Sequence, residues 1–276
     1  MTGYLRKTLE DSMRGIHREV KIALTPLPTG KHWVFLVGCY NSGTTLLSSI
    51  LATHPEISAL PKEGQFLTDQ FAADYELHVP RMWTMREDLF RLNEADTGPD
   101  ADRVKREWAM RLDRSRPVFL EKSPPNAART RWLQANFEGA SFVALVRNGY
   151  AVAEGIRRKA EPHHLKEGWP LADCARQWAR SNEILAEDAE HLDRVLWVTY
   201  EALTADPTVE IARILEFMGP SADGIDTERA WDIHERSGTI RDMNQESIDR
   251  LSADERAEIS AIAGPTLERF GYEVLD

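Results

Sequence analysis

The sequence predicts an α/β fold in which helices cover both faces of a parallel sheet of about four to five strands. Four short apolar runs lie along the chain, at Trp33–Val37, Val118–Leu120, Phe142–Val146 and Val195–Thr199. Continuous apolar runs, rather than alternating ones, are typical of strands that are buried on both faces of a parallel sheet. A helical pattern follows each run, and strands that alternate with helices indicate βαβ units.

The first of these runs leads into a glycine-containing turn. Residues 38–45 read GCYNSGTT, the frame of the phosphate-binding loop G-x-x-x-x-G-K-[ST] with Thr44 in place of the lysine. Backbone N–H groups of such a turn, and the N-terminus of the next helix, can bind a phosphate without that lysine. Because the lysine normally contacts the β- and γ-phosphates, its absence indicates a ligand without a γ-phosphate. The sheet is therefore predicted to be of the P-loop type, and an ordinary strand-to-helix turn is the alternative.

Helical patterns cover five further segments: Thr44–Thr53, Pro124–Phe137, Leu171–Leu192, Pro207–Met218 and Ser252–Phe270. The last of these is predicted to begin with a capping box at Ser252 and to be interrupted or kinked near Gly264-Pro265. Phe66–Arg114 has a mostly helical pattern that breaks around Thr97-Gly98-Pro99. Pro220–Arg250 is polar and is predicted to be a long loop with one short helix, the kind of segment that covers a site.

The composition limits the partners of the chain. Its formal net charge is −11 at pH 7 and its pI about 5.3, which argues against nucleic acid, because binding to a phosphate backbone needs a basic face. The two cysteines, Cys39 and Cys174, fit neither a disulfide framework nor a zinc spacing and indicate a reducing compartment. With neither an apolar signal region nor a run of roughly 18 apolar residues to span a membrane, we expect a cytoplasmic protein. The sequence does not indicate an oligomeric state.

Polar and charged residues follow the predicted strands. Glu121, Lys122 and Ser123 follow the second, Arg147 the third and Tyr200 the fourth. Because ligands of open parallel sheets lie beyond the carboxyl ends of the strands, these residues and the loop at 38–45 are expected to form a local cationic site for a polyanion.

Four segments of the chain resemble sulfotransferases that use 3′-phosphoadenosine 5′-phosphosulfate (PAPS). GCYNSGTTLL followed by HPEI resembles the family's 5′-phosphosulfate loop, and FLEKSPPNAARTRWL its E-K-[ST]-P segment. FVALVRNGYAVAEGI resembles the 3′-phosphate segment, and VTYEALTADPTVEIARILEFMG the segment after the last core strand. The likeness spans roughly residues 33 to 275 in order, and is greatest to the tyrosylprotein-like and bacterial branches. It implies one sulfotransferase domain over 1–276, with 1–30 as an N-terminal extension and 66–114 and 220–250 as acceptor-side or lid segments.

The resemblance implies a set of residues that bind PAPS, or its product PAP (adenosine 3′,5′-bisphosphate). The 5′-phosphate would be held by the loop, at Asn41, Ser42, Gly43, Thr44 and Thr45. Arg147 would bind the 3′-phosphate, and a structural salt bridge is its alternative role. Tyr200 would approach the adenine or the sulfonate, or only pack in the core. No metal is expected.

The chain departs from the family pattern at two of these positions. Asn41 stands where the family usually has Arg or Lys, so a cation facing the leaving phosphate is missing. Gly155 stands where the family often has a serine that contacts the 3′-phosphate, and Arg157 or Arg158 is the expected replacement.

Three catalytic residues follow from the resemblance. Lys122 would assist sulfuryl transfer, although an ion pair with a carboxylate such as Glu121 would also explain it. Glu63 is the candidate general base, with His54 as a weaker one, although Glu63 could instead favour the dipole of a helix that starts near Gln65. Ser237 loosely matches a serine that assists transfer.

The predicted reaction moves a sulfuryl group from PAPS to a hydroxyl of a small-molecule, glycan or natural-product acceptor. The walls of the acceptor pocket are expected in Phe66–Arg114 and Pro162–Pro170. Met82, Trp83, Phe90 and Trp169 could supply apolar contacts there or could equally belong to the core. One alternative is a non-catalytic PAP- or nucleotide-binding protein. Another is a P-loop kinase or hydrolase in which Glu121 binds magnesium, and the missing lysine argues against it.

Overall fold

The main sheet has five parallel strands in the order β2-β3-β1-β4-β5. These strands are β1 His32–Val37, β2 Ile57–Ala59, β3 Val118–Lys122, β4 Ser141–Val146 and β5 Val195–Thr199. A computed structural model describes residues 13, 15–160, 168–221, 224–227, 229–233 and 236–276, and side chains at all of these except 160, 232, 233, 236 and 237. The four predicted strands are confirmed, and β2 lies at the sheet edge and is too short to stand out as an apolar run.

Helices connect the strands and lie on both faces of the sheet. They are α1 (residues 15–24), α2 Thr44–Leu51, α3 Glu87–Phe90, α4 Ala101–Ala109, α5 Thr130–Asn136, α6 Gly149–Ala160, α7 Leu171–Ala189, α8 Tyr200–Ala205, α9 Pro207–Met218, α10 Asn244–Ile248 and α11 Ala253–Arg269. The predicted helix at Pro207–Met218 is confirmed at both ends. The helix predicted over Pro124–Phe137 is divided into a 3₁₀ turn at Pro124–Ala128 and α5. Ser123, which precedes the turn, does not cap it with its side chain, because the Ser123 hydroxyl donates to Glu121.

The last helix has the predicted start but not the predicted interruption. Ser252 and Glu255 form a reciprocal capping box. Pro265 lies inside α11, which runs on to Arg269. Ile259, Ala263 and Leu267 are fully buried in the core beside α7, and this packing outweighs the backbone hydrogen bond that proline cannot make.

Side chains alternate between the two faces of the sheet, as strand geometry requires. One face carries the large aromatic side chains, Trp33, Phe35, Phe119 and Phe142. The other carries the aliphatic ones, Val34, Leu36, Val118, Leu120, Val143 and Leu145, beneath α2 and α9. Each fully buried side chain of this size stabilises the fold by roughly 1.5–3 kcal/mol, and the sheet that results is a rigid support for the loops at its carboxyl edge.

Two segments differ from their predicted secondary structure. Phe66–Arg114 consists mostly of turns. Its regular structure is a 3₁₀ turn at Trp83–Arg86, α3 and α4, and Phe66 itself ends a 3₁₀ turn that begins at Gly64. Side-chain to backbone hydrogen bonds compete with the helix there, for example Arg81 N–H to Asp74 Oδ2 at 2.6 Å. Pro220–Arg250 contains the predicted short helix, α10, and also an antiparallel hairpin of β6 Trp231–Ile233 and β7 Arg236–Gly238.

Candidate active site

The strand order places the candidate residues side by side along the carboxyl edge of the sheet. The loop that follows β1 lies between its neighbours β3 and β4. Lys122, the last residue of β3, is in register with Leu36 near the end of β1. Arg147 follows β4, and Tyr200 follows the neighbouring β5. The predicted convergence of these residues is therefore a consequence of the parallel register.

The loop between β1 and α2 has three residues with positive φ. Gly38 has φ 154° and Gly43 φ 99°, and the non-glycine residue Asn41 has φ 63°. A Cβ atom on Gly38 would lie 2.3 Å from the carbonyl oxygen of Leu145. Both glycines are therefore required by geometry, and the strained Asn41 is held at a position where the family pattern also points to function.

Substituting Gly43 by alanine is expected to destabilise the protein more than substituting Gly219. Both glycines have φ near 100°, so each alanine costs about 1–2 kcal/mol of backbone strain. Only at Gly43 would the new Cβ atom meet the Tyr200 ring, at 2.8 Å, and overpacking of this kind costs about 1–3 kcal/mol more. Denaturant unfolding of both variants measures the difference, and equal losses would contradict the close contact between the loop and Tyr200.

Two polar side-chain atoms in this loop are left without hydrogen-bond partners in the described structure, as expected where a phosphate binds. Asn41 Nδ2 and Ser42 Oγ are buried and, within the described part of the chain, have no hydrogen-bond partner. α2 begins at Thr44, and its N-cap residue Gly43 has no side chain to cap it. Buried donors are rarely left unsatisfied, and a phosphate at an uncapped helix N-terminus would satisfy them. The loop therefore fits the 5′-phosphate that the sequence predicts.

Arg147 is half-buried and fixed from three sides. Its Nε donates to Asn244 Oδ1 at 2.7 Å and its Nη1 to the Asn41 carbonyl oxygen at 3.0 Å. The guanidinium lies 4.1 Å from the centroid of the Tyr200 ring. Burial lowers the pKa of Arg147 and raises that of Tyr200, whose hydroxyl donates to the Arg241 carbonyl oxygen. Tyr200 thus lines the cleft and also supports the arginine.

Polar residues behind Arg147 orient it, and no sequence pattern indicates them. Asn244, at the start of α10, donates from its Nδ2 to Glu201 Oε1 at 2.6 Å. The Tyr272 hydroxyl donates to the other oxygen of Glu201 at 2.9 Å. These residues come from distant parts of the chain, so no local pattern shows that they meet.

Lys122 and Glu63 form an ion pair at the opposite side of the loop. Lys122 Nζ lies 2.9 Å from Glu63 Oε1 and 3.4 Å from Thr45 Oγ1. The other oxygen of Glu63 accepts from Gln65 Nε2 at 2.8 Å. The structure thus brings the predicted base and the predicted cation into direct contact beside the loop.

Glu121, the neighbour of Lys122, has a structural role. It is fully buried and accepts hydrogen bonds from the Gly64 N–H at 2.8 Å, from the Ser123 hydroxyl and from Asn126 Nδ2. Burial raises its pKa to about 7, against the opposing hydrogen bonds. With both oxygens occupied it is poorly placed to ligate magnesium, which counts against the kinase alternative.

The loop, Glu63, Arg147 and Tyr200 line a cleft of about 940 Å³, and Lys122 lies behind Glu63 without lining it. Among the described residues, six basic side chains line this cleft, namely Arg81, Arg147, Arg158, Lys159, Arg241 and Arg250, against the carboxylates Glu63 and Glu246. An acidic protein thus has a locally cationic cleft, which is the arrangement that an anionic ligand requires. Residues from both irregular segments, 66–114 and 220–250, contribute to its walls.

Some predicted residues lie elsewhere or have other partners. Arg158 lines the cleft but pairs with Glu154 at 2.7 Å, and Arg157 pairs with Glu255. His54 is buried, bonded to the Ser221 carbonyl oxygen, and does not line the cleft. It is structural.

The predicted acceptor-wall residues that the structure describes lie in or against the core. Met82, Trp83 and Phe90 are fully buried there, which is the core role that the sequence left open for them. Trp169 packs against the core and donates to the Pro80 carbonyl oxygen. The Ser237 side chain and residues 162–167 lie outside what the structure describes, although the Ser237 backbone belongs to β7.

The parallel sheet and the glycine-containing loop between β1 and α2 define an α/β protein of the P-loop type. A model of the sulfotransferase family matches residues 34–223, more than half of the sequence, and the chain belongs to this family. The chain is therefore a sulfotransferase, as the resemblance predicts, and the usual sulfuryl donor of the family is PAPS.

Individual relatives agree with this assignment. Protein-tyrosine sulfotransferase A of Caenorhabditis elegans is 24% identical, with 87% of this chain and 67% of that protein covered. Protein-tyrosine sulfotransferase 1 of Danio rerio is 25% identical, covering 87% and 72%. Among solved structures, the sulfotransferase domain of the Synechococcus PCC 7002 olefin synthase has a TM-score of 0.53 at 22% identity, covering 90% of this chain and 98% of that one. Sulfotransferase STF1 of Mycobacterium tuberculosis H37Rv has a TM-score of 0.56 at 17% identity, covering 94% and 81%. The structural likenesses support the fold.

Proposed function

We propose that this chain transfers the sulfuryl group of PAPS to a hydroxyl group of a small-molecule, glycan or natural-product acceptor, without a metal ion. The observation that carries the proposal is the lysine-free loop, whose Asn41 Nδ2 and Ser42 Oγ are buried without described partners beside Arg147. Ser42, Gly43, Thr44 and Thr45 would hold the 5′-phosphate, and Arg147 the 3′-phosphate. A donor without a γ-phosphate needs neither the loop lysine nor the magnesium that accompanies a triphosphate.

The residues on the other side of the loop would supply the chemistry. In-line transfer forms a bond from the acceptor oxygen to sulfur and breaks the bond from sulfur to the 5′-phosphate oxygen, which keeps the electron pair. Glu63 would take the acceptor proton, and Lys122 would stabilise the negative charge that develops on the transferring group. Their contact at 2.9 Å holds both groups beside Thr45. Positioning and charge stabilisation would account for most of the rate.

The acceptor would enter beside Glu63, where two aromatic side chains are exposed. Phe66 is 43% exposed and Tyr75 36% exposed, and their ring centroids lie 5.9 Å apart. Both line the cleft. Exposed aromatic pairs bind apolar or planar groups, with geometry set by ring stacking. We therefore expect an acceptor whose hydroxyl is attached to an apolar or aromatic skeleton.

We further propose a cytoplasmic location. Cys39 and Cys174 are free and buried, and burial raises the pKa of each thiol to about 12. Buried free thiols of this kind fit a reducing compartment. No helix within the described ranges is long and apolar enough to span a membrane.

Calorimetric titration with PAP, with Mg-ATP as the control ligand, tests the proposed donor site. We expect micromolar binding of PAP that needs no added metal, and no binding of Mg-ATP. Incubation with PAPS and a panel of phenols, sugars and aliphatic alcohols then tests turnover. Tight binding of Mg-ATP without binding of PAP would contradict the proposed donor, and PAP binding without turnover of any acceptor would favour a non-catalytic nucleotide-binding protein.

A further inference from the structure

Arg81 places an unneutralised guanidinium beside the phosphate loop. Its Nη1 donates to Asn41 Oδ1 at 3.1 Å, and its Cζ lies 5.7 Å from the centroid of the Tyr40 ring. It lines the same cleft as Thr45 and Glu63. Of the carboxylates that the structure describes, none forms an ion pair with Arg81, and Glu63 pairs with Lys122 instead. The positive charge of Arg81 is therefore available to an anion in the cleft.

The backbone around Arg81 is held in a strained and specific conformation. Arg81 has φ 66°, in the left-handed region that arginine rarely adopts. Its N–H donates to Asp74 Oδ2 at 2.6 Å, and the preceding Pro80 carbonyl oxygen accepts from Trp169 Nε1 at 3.0 Å. The next residue, Met82, is fully buried. Strain that several contacts maintain in this way is a feature of functional sites.

Asn41 lies between this arginine and Gly155. A Cβ atom on Gly155 would be in ordinary van der Waals contact with Asn41, 3.4 Å from its Cγ and 3.5 Å from its Nδ2, so the two residues are neighbours. That amide presents its oxygen to Arg81, and its Nδ2 is buried without a partner in the described chain. The two positions at which the chain departs from the family pattern are thus in contact, and one of them binds a cation from outside the loop.

We propose that Arg81 supplies the positive charge at the 5′-phosphate end of the cleft, in place of the basic loop residue that Asn41 replaces, and that Asn41 holds the guanidinium there. The proposal rests on the proposed PAPS site. In this arrangement the cation comes from the segment between Phe66 and α3, which also carries the exposed Tyr75. The charge that faces the leaving phosphate is then fixed by tertiary contacts instead of by the loop sequence.

A pair of nucleotides tests the location of this charge. PAP carries a 5′-phosphate, whereas adenosine 3′-phosphate does not. We expect Arg81→Ala to weaken PAP binding by about 10-fold or more, because a hydrogen bond between charged groups is lost, and to leave the affinity for adenosine 3′-phosphate within about threefold. Arg86→Ala is the matched control, because Arg86 is 43% exposed, belongs to the same segment and does not line the cleft.

A double-mutant cycle with position 41 tests the replacement. In the Arg81→Ala background, Asn41→Arg is expected to recover most of the lost PAP affinity, whereas in the wild-type background it should give no gain. Equal losses for PAP and adenosine 3′-phosphate, no loss for either, or the same gain from Asn41→Arg in both backgrounds would overturn the role of Arg81. A wild-type protein that binds no PAP would instead overturn the proposed function itself.

Discussion

Replacing Lys122 by alanine is expected to lower the rate of sulfuryl transfer about 10²–10³-fold, while PAP affinity stays within about threefold of the wild-type value. The lysine Nζ lies 3.4 Å from Thr45 Oγ1, where it can face charge that develops during transfer but is only partly present in the bound product. Single-turnover transfer from radiolabelled PAPS to a phenol gives the rate. Calorimetry with PAP gives the affinity.

The ion pair between Lys122 and Glu63 makes a second outcome possible, in which the lysine only holds the carboxylate in place. In that case, Lys122→Ala and Glu63→Gln would lower thermal stability by similar amounts and leave turnover near normal. If both groups are catalytic, both variants lose turnover. The pH profile of the remaining rate in Glu63→Gln then no longer shows the ionisation of a general base. Lys62→Ala is the control, because Lys62 is the exposed neighbour of Glu63. Near-normal turnover in Lys122→Ala would remove Lys122 from the mechanism.

The parallel sheet was predictable because each of its longer strands is a continuous apolar run, which can be recognised without knowing the tertiary contacts. Strands buried on both faces must be apolar at nearly every position, so the buried strands β1 and β4 were predicted to within one residue of their observed ends. Local rules also determined the Ser252 capping box. The segment 66–114 gave a misleading helical pattern, because its buried residues Met82 and Trp83 reach the core from turns fixed by side-chain hydrogen bonds.

The candidate site divides in the same way. The sequence could predict that the loop residues, Lys122 and Arg147 converge. Each lies at or just after the end of a strand, and parallel strands end at one edge of the sheet. Arg81 and Asn244 were not, since they come from irregular segments whose position depends on tertiary contacts with Asn41 and Arg147. Lys122 does form the ion pair with a carboxylate that the sequence left as its alternative role, but with Glu63 and not with Glu121, which is engaged by three other donors.

Replacing Arg147 by alanine is expected to weaken PAP binding by roughly 10²–10⁴-fold, the loss of two charge-assisted hydrogen bonds to a phosphate at about 1.5–3 kcal/mol each. The preformed position of the guanidinium, against Tyr200 and bonded to Asn244 and the Asn41 carbonyl oxygen, supports this size of effect. A half-buried cation that is already oriented loses little side-chain entropy when it binds. Calorimetric titration with PAP measures the change.

Adenosine 5′-phosphate, which lacks the 3′ group, separates recognition of the 3′-phosphate from damage to the loop. If Arg147 binds the 3′-phosphate, the wild-type preference for PAP over adenosine 5′-phosphate disappears in Arg147→Ala, and the affinity for adenosine 5′-phosphate changes little. Arg147→Lys should recover only part of the preference, because an ammonium keeps the charge but not the planar fork of donors. If the two nucleotides instead lose affinity equally, the main work of Arg147 is to hold the Asn41 carbonyl oxygen and the shape of the loop. The 3′-phosphate would then have to be bound by other cations of the cleft. The candidates are Arg158 and Lys159 on α6, and Arg250 shortly after α10.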